Sequence, residues 1–293
     1  DLLISGCDRE GPEYIGSTYY AQGEGGSRTA AGLERYLATG GNPKYDLSDP
    51  TRFPKALNHC YWQFATVVGG RDFLRIGDVC GPDKAPGATL RDLDEKARLG
   101  WRLARDPAFA WTLVHLCGRR GESDAEWAEI TAAAGRRRRA PWLDNRSRDL
   151  ANWAGILETG LEHDDYRFRR AAYLRLGLGS GHEHADAMDL QVVAHGLPMT
   201  VDDGQRSGYS KPNSRFTRIH NTVEVDTGWN MPAELGHWCY AWPNALTDAP
   251  GARYLRATAL VPNTRLYARQ IALVDVDEGS GSQPLEPALM KPG

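Results

Sequence analysis

A chain of 293 residues, 41% hydrophobic and 25% charged, carries enough apolar side chain for a sizeable core and for two domains. A net charge of −3 excludes a polycation that seeks nucleic acid, and no apolar run approaches the roughly 20 residues that cross a bilayer. Cys7, Cys60, Cys80, Cys117 and Cys239 are scattered and odd in number, with no C-x-x-C pair. That pattern argues against a disulfide framework or a thiolate zinc site and reads as buried free thiols.

The opening stretch, "DLLISGCDREGPEY", has no Met and no basic region followed by an apolar one, so it reads as mid-protein sequence rather than a leader. A helical period follows. In "RFPKALNHCYWQFATVV", Phe53, Leu57, Cys60, Tyr61, Phe64 and Val68 recur at three- and four-residue steps. Leu90, Leu93, Ala97, Trp101 and Ala104 do the same in "LRDLDEKARLGWRLA". "SDAEWAEITAAAG" opens with Ser123 and Glu126 in capping-box spacing. Short Gly/Pro/Asp segments separate these runs, which predicts antiparallel helices with short links.

After the arginine run 136–139 the period changes to two. "NWAGILETG" alternates, and Leu174, Leu176 and Leu178 share one side of "AYLRLGLGSG". In "RIHNTVEVD", Ile219, Val223 and Val225 share a face with Asn221, and His220, Thr222, Glu224 and Asp226 the other. "TRLYARQIALVDVD" is a further strand. Strands with turn signals between them predict an antiparallel β-sandwich. The organisation expected is α+β: a helical domain over residues 1–140, then a β-domain over 141–293 with an irregular Gly/Pro tail from about 278. The arginine run reads as a solvated helix end, with contact to an acidic polymer as the other reading.

"GHEHADAMDLQVVAHG" places His182, His184 and Asp186 on alternate positions ahead of an apolar β-prone run, so an extended chain would point all three the same way. "TVDDGQRSGY" then supplies Asp202, and His220 lies on the polar face of "RIHNTVEVD". Two imidazoles and a carboxylate form a sound tetrahedral set for zinc, with a fourth position for water or another group. The plain alternative is a row of strand-face polar residues bonded to backbone and water. No H-E-x-x-H or carboxylate pair points to a zinc hydrolase.

Taken together and in order, "GHEHADAMDLQVVAHG", "VDDGQRSGY" and "RIHNTVEVD" resemble the C-terminal β-domain of heparinase II/III-type polysaccharide lyases, and "DREGPEYIGSTYY" resembles the family's E-G-P-x-Y segment. The resemblance covers most of residues 8–277. It implies the later part of an α/α toroid followed by an antiparallel β-sandwich, with a saccharide cleft between them. It implies a structural zinc ion held by His184, Asp202 and His220. It also implies His182 facing the cleft and Tyr14 acting in proton transfer; on composition alone Tyr19 and Tyr20 compete with Tyr14. Glu10 and Arg206 are candidates for binding substrate, as is Arg9.

The implied activity is β-elimination on an acidic, uronate-containing polysaccharide or oligosaccharide, in the periplasm or outside the cell. Two departures from the family pattern, an absent upstream Asn-His pair and missing strands after "IALVDVD", predict a piece of a longer enzyme with little activity of its own. The competing expectation is a non-catalytic carbohydrate-binding or structural β-domain that keeps the zinc site.

Overall fold

The computed structural model describes residues 24–42, 44–47, 49, 51–77, 93–150, 153–177, 184–200, 216–226 and 241–275. Helices come first: α1 (Glu24–Ala38), α2 (Pro54–Ala65), α3 (Asp94–Ala104), α4 (Pro107–Thr112) and α5 (Asp124–Ala134). Local chemistry sets their ends. Pro54 and Pro107 occupy first-turn positions, where a missing N–H costs nothing. The Asp106 carboxylate accepts from the Ala108 N–H at 2.7 Å, and the Ser123 hydroxyl accepts from the Glu126 N–H at 3.2 Å, as the capping-box spacing predicts. Gly100 lets α3 and α4 approach: a Cβ there would stand 2.5 Å from the Phe109 ring.

The helical period predicted through Val68 stops earlier. α2 ends at Ala65, and Val68 belongs to a hairpin of β1 (Val67–Val68) and β2 (Asp72–Phe73). Gly69 and Gly70 supply its turn at φ 58° and 77°, where a helix cannot continue.

The remaining strands form two antiparallel sheets. One has the order β3-β4-β5-β6-β7 (Arg148–Asp149, Ala154–Thr159, Arg170–Arg175, Leu190–Ala194, Leu197–Pro198); the other has β10-β9-β8 (Tyr267–Val274, Ala252–Ala259, Ala241–Ala249). The predicted one-sided alternation of "NWAGILETG" is not what β4 shows, since all six of its residues are buried. The reason is its place in the stack. Ala154 and Ile156 pack with Trp62, Leu74 and Ile76 of the helical part, while Leu157 packs with Leu255 and Ala257 of the second sheet. Helices, five-stranded sheet and three-stranded sheet are thus three successive layers, the last two a sandwich. Leu174 and Leu176 lie together in the inter-sheet core, as expected; Leu178 lies outside the described residues.

Polar contacts tie helices to sheet. Arg148 donates to the carbonyls of Ala65 (2.8 Å) and Val67 (2.7 Å) and to Glu158 Oε1 (2.8 Å), and Asn145 donates to Phe64 O and Val67 O. The last carbonyls of α2 are capped from the β-domain in this way. Glu158 is fully buried, and that burial raises its pKa against the opposing charges of Arg148 and Arg169.

Trp62, Trp101, Trp142 and Trp153 are core residues. Cys60 is a buried thiol and Cys117 a partly buried one; burial pushes the Cys117 pKa up to about 12. No helix among the described residues is long and apolar enough to cross a membrane.

Candidate functional site

Tyr14, Glu10, Arg9, His182, Asp202 and Arg206 lie outside the described residues. His184 and His220 lie within them and are brought together. Both are buried, and their rings stand 5.4 Å apart between centroids at 45°.

The segments that carry them are not the strands the alternation predicts. Residues 184–189 precede β6 as an irregular stretch with a turn, in which the Asp189 N–H donates to Asp186 O at 2.8 Å and Met188 takes φ 64°. Around His220 the chain makes one 3-10 turn, Thr217–Ile219, and runs on to Asp226 without a ladder. The physical reason is competition for backbone groups. Asp189 Oδ1 accepts from the Asn221 N–H at 2.6 Å and Asp186 Oδ2 from the Gly77 N–H at 3.4 Å, so side chains take donors that a strand would use. His184 and Asp186 therefore do not share a strand face, and the predicted face of Ile219, Val223 and Val225 does not exist as a unit: Val223 is 66% exposed.

What holds the two histidines side by side is a set of cross-links between these irregular segments. The Thr217 hydroxyl donates to Ala185 O and the Thr222 hydroxyl to Ala187 O, both at 2.9 Å. The Leu190 N–H donates to Asn221 O at 3.1 Å. From the inner face of β10, Arg269 donates to Met188 O (2.9 Å) and Asn221 O (2.5 Å). The Tyr267 hydroxyl donates to Val223 O (2.8 Å) and lies 2.8 Å from the Thr222 hydroxyl. Both β-sheets thus contribute to the position of the pair.

Asp186 serves the scaffold. Its Oδ1 lies 3.5 Å from Arg175 Nε, and Arg175, nearly fully buried, also donates to the carbonyls of Trp153 and Leu176 and stands 5.8 Å from the Trp153 ring. Sequence reasoning passed over Asp189, Arg269 and Tyr267. A signal existed for the last two, an arginine and a tyrosine at inward positions of an otherwise apolar alternating strand.

The ring spacing suits two ligands of one tetrahedral ion. With a metal–nitrogen bond of about 2.0–2.1 Å and tetrahedral angles, two ligand rings have centroids roughly 5 Å apart, against the 5.4 Å here. Among the described residues no group of three His, Cys, Asp or Glu side chains is arranged to hold a metal.

No family model matches the chain, and no curated protein sequence does. Solved structures do. A mutant of the heparan sulfate lyase HepC from Pedobacter heparinus superposes with a TM-score of 0.62 at 13% identity, over 94% of this chain and 38% of that one. The same enzyme without the mutation gives 0.57 at 14% identity, over 93% and 38%. A heparinase III with methylated lysines gives 0.56 at 11%, over 94% and 40%. This chain has the fold of these lyases and spans about two fifths of their length.

Proposed function

We propose that the chain is part of a polysaccharide lyase that cleaves an acidic, uronate-containing polysaccharide by β-elimination. The observation that carries the reading is the fold shared with heparan sulfate lyases over 93–94% of the chain. The proximity of His184 and His220, two members of the ligand set that the motifs imply, supports it independently.

The chemistry assigns the roles. A uronate carries a proton on the carbon next to its carboxylate, and removing it places a second negative charge on that group. Donors around the carboxylate stabilise the enolate, usually the largest single effect. The base that takes the proton and the acid that gives one to the leaving glycosidic oxygen each contribute about 10²–10⁴-fold. Neutral His182 takes the proton and Tyr14 protonates the leaving oxygen, or the two exchange roles. Arg206 pairs with the substrate carboxylate and Glu10 accepts from sugar hydroxyls. His184, Asp202 and His220 would hold zinc, which would tie three separate segments of the chain together and fix the neighbouring His182. A substrate of this kind is extracellular, which places the protein in the periplasm or outside the cell.

β-Elimination leaves a conjugated unsaturated uronate that absorbs in the ultraviolet; hydrolysis and binding do not. An absorbance screen against heparan sulfate, chondroitin, alginate and glucuronan, run on these 293 residues and on the longer enzyme we take them to come from, tests the reading. The expected result is new absorbance with at least one polymer and little from the 293 residues alone. Binding without absorbance by the longer enzyme on all four would favour a non-catalytic carbohydrate-binding domain instead.

A further inference from the structure

The proposed reaction leaves the arginine run 136–139 unused. Its start is explained by the helix it follows. The N–H groups of Arg136 and Arg137 donate to Ala133 O and Ala134 O at the end of α5, where cations suit the carbonyl end of a helix. The side chains, however, do not gather over those carbonyls. Arg139 grips Asp144 Oδ1 through Nε (3.0 Å) and Nη2 (2.8 Å) and reaches Asp164 Oδ1 through Nη1 (2.6 Å), while Arg137 pairs with the other oxygen of Asp144. Two guanidiniums are thereby fixed in orientation. Asp144 stays ionised: burial works against it, but the hydrogen bonds from Arg139 and Arg137 hold its carboxyl below the usual range.

Arg136 and Arg138 are exposed and make no ion pair with a described residue. All four arginines line one cleft of about 460 Å³ together with Asp144, Asp164 and Glu162, a size within the roughly 300–1,000 Å³ of small-ligand clefts. Four guanidiniums face three carboxylates there. Asp144 and Asp164 are already engaged by Arg137 and Arg139, and Glu162 lies 3.2 Å from His163 Nε2. Arg136 and Arg138 carry the free positive charge.

We propose that this cleft is a second binding site, one that takes the sulfate and carboxylate groups of an acidic oligosaccharide on Arg136 and Arg138. Guanidinium presents paired N–H groups that fit such planar or tetrahedral oxyanions. The carboxylates decide the ligand class. Glu162 and Asp164 accept hydrogen bonds from the hydroxyls that a sugar chain carries between its charges and that the backbone of single-stranded DNA lacks. Turnover is not needed for it, so the proposal stands apart from the lyase reading.

The test titrates a heparin-derived octasaccharide into the 293-residue chain at several salt concentrations and compares Arg136→Gln/Arg138→Gln with the parent. Neither side chain is paired with a described residue, so the fold should survive. A control, Arg256→Gln/Arg265→Gln, removes two exposed arginines from the three-stranded sheet part. The double variant at the cleft should bind roughly tenfold more weakly, and its slope of log K against log salt should fall by about 2, one for each lost charge contact. The control should match the parent.

Absence of binding by the parent at low salt, equal binding by the cleft variant, or an equal loss in the control would each overturn the proposal. A single-stranded DNA of matching charge that binds as tightly, with the same dependence on Arg136 and Arg138, would overturn the saccharide assignment. Ultraviolet absorbance followed in the same samples and with the longer enzyme separates the two readings. Arginine-dependent binding supports the cleft whether or not product forms, since little is expected from the 293 residues alone; product from the longer enzyme with unchanged binding in the variant supports the lyase and overturns the cleft.

Discussion

Arg148→Ala removes a partly buried cation that pairs with a fully buried carboxylate and serves both halves of the molecule. The wild-type side chain donates to Glu158 Oε1 at 2.8 Å, to Ala65 O at 2.8 Å, and to Val67 O and Arg146 O at 2.7 Å. Without it, Glu158 keeps a fully buried carboxylate with only the more distant Arg169 charge to offset it. Breaking a buried pair by removing one partner costs about 3–5 kcal/mol, a large part of the ~5–15 kcal/mol that keeps a domain folded.

The loss should depend on pH. Burial already raises the folded-state pKa of Glu158 above its unfolded value, and Arg148 holds that rise in check. The folded state therefore binds the extra proton between the two values, and stability falls as pH rises through that window. In the variant the window widens upward. Urea unfolding at pH 5 and pH 7.5 should show a deficit that shrinks at the lower pH, by about 1.4 kcal/mol for each unit by which the variant's folded pKa exceeds the wild-type one. Adding Glu158→Gln should restore part of the loss at pH 7.5. A deficit below about 1 kcal/mol, the size of an exposed pair, or one independent of pH, would mean that the pair is not the buried clamp described here.

Gly100→Ala should lower the melting temperature although alanine is the better helix former by about 1 kcal/mol, because its Cβ would sit 2.5 Å from the Phe109 ring; a higher melting temperature would show that α3 and α4 have room to part. Asp275 accepts from Thr159 Oγ1 at 2.5 Å and pairs with Arg253, and although burial works against it these contacts hold its carboxyl below the usual range. Its contribution is present above the ordinary carboxylate pKa and is lost as pH falls through the depressed one. Asp275→Asn should accordingly cost up to about 1 kcal/mol at pH 7 and progressively less as the pH is taken down into the acid range; a loss independent of pH would refute the charge argument. His184→Ala should lower the zinc content of the purified protein, and chelation should destabilise the β-part of the parent. Equal zinc in both proteins would place the metal elsewhere.

The sequence made long-period features legible and irregular ones illegible. Ser123 and Glu126 announced the start of α5, and the inward alternation of Tyr267, Arg269, Ile271 and Leu273 in β10 was readable as a strand. β8 and β9 were not singled out. Pro243 interrupts β8, and a register shift between Pro243 and Ala245 absorbs it, so the strand reads poorly as a period-two run. β4 was recognised as a strand but not as one buried on both faces, since that depends on which layers enclose it.

Around the histidines, the pattern H-x-H-x-D suggested a strand because alternation is what residue types record. The hydrogen bonds that Asp186 and Asp189 make to Gly77 and Asn221 are tertiary, and no local period foretells them. His184 and His220, which the resemblance implies as members of one ligand set, lie with ring centroids 5.4 Å apart although thirty-odd residues separate them in sequence.

Comparing Tyr14→Phe with the parent, in the longer enzyme and on whichever acidic polymer yields ultraviolet absorbance, tests the central claim most directly. The substitution removes one hydroxyl and should leave zinc content and melting temperature as they were. The account predicts that product absorbance falls by about 10²-fold or more, the contribution of one proton-transfer group. Undiminished absorbance in the variant, with substrate still cleaved, would contradict it.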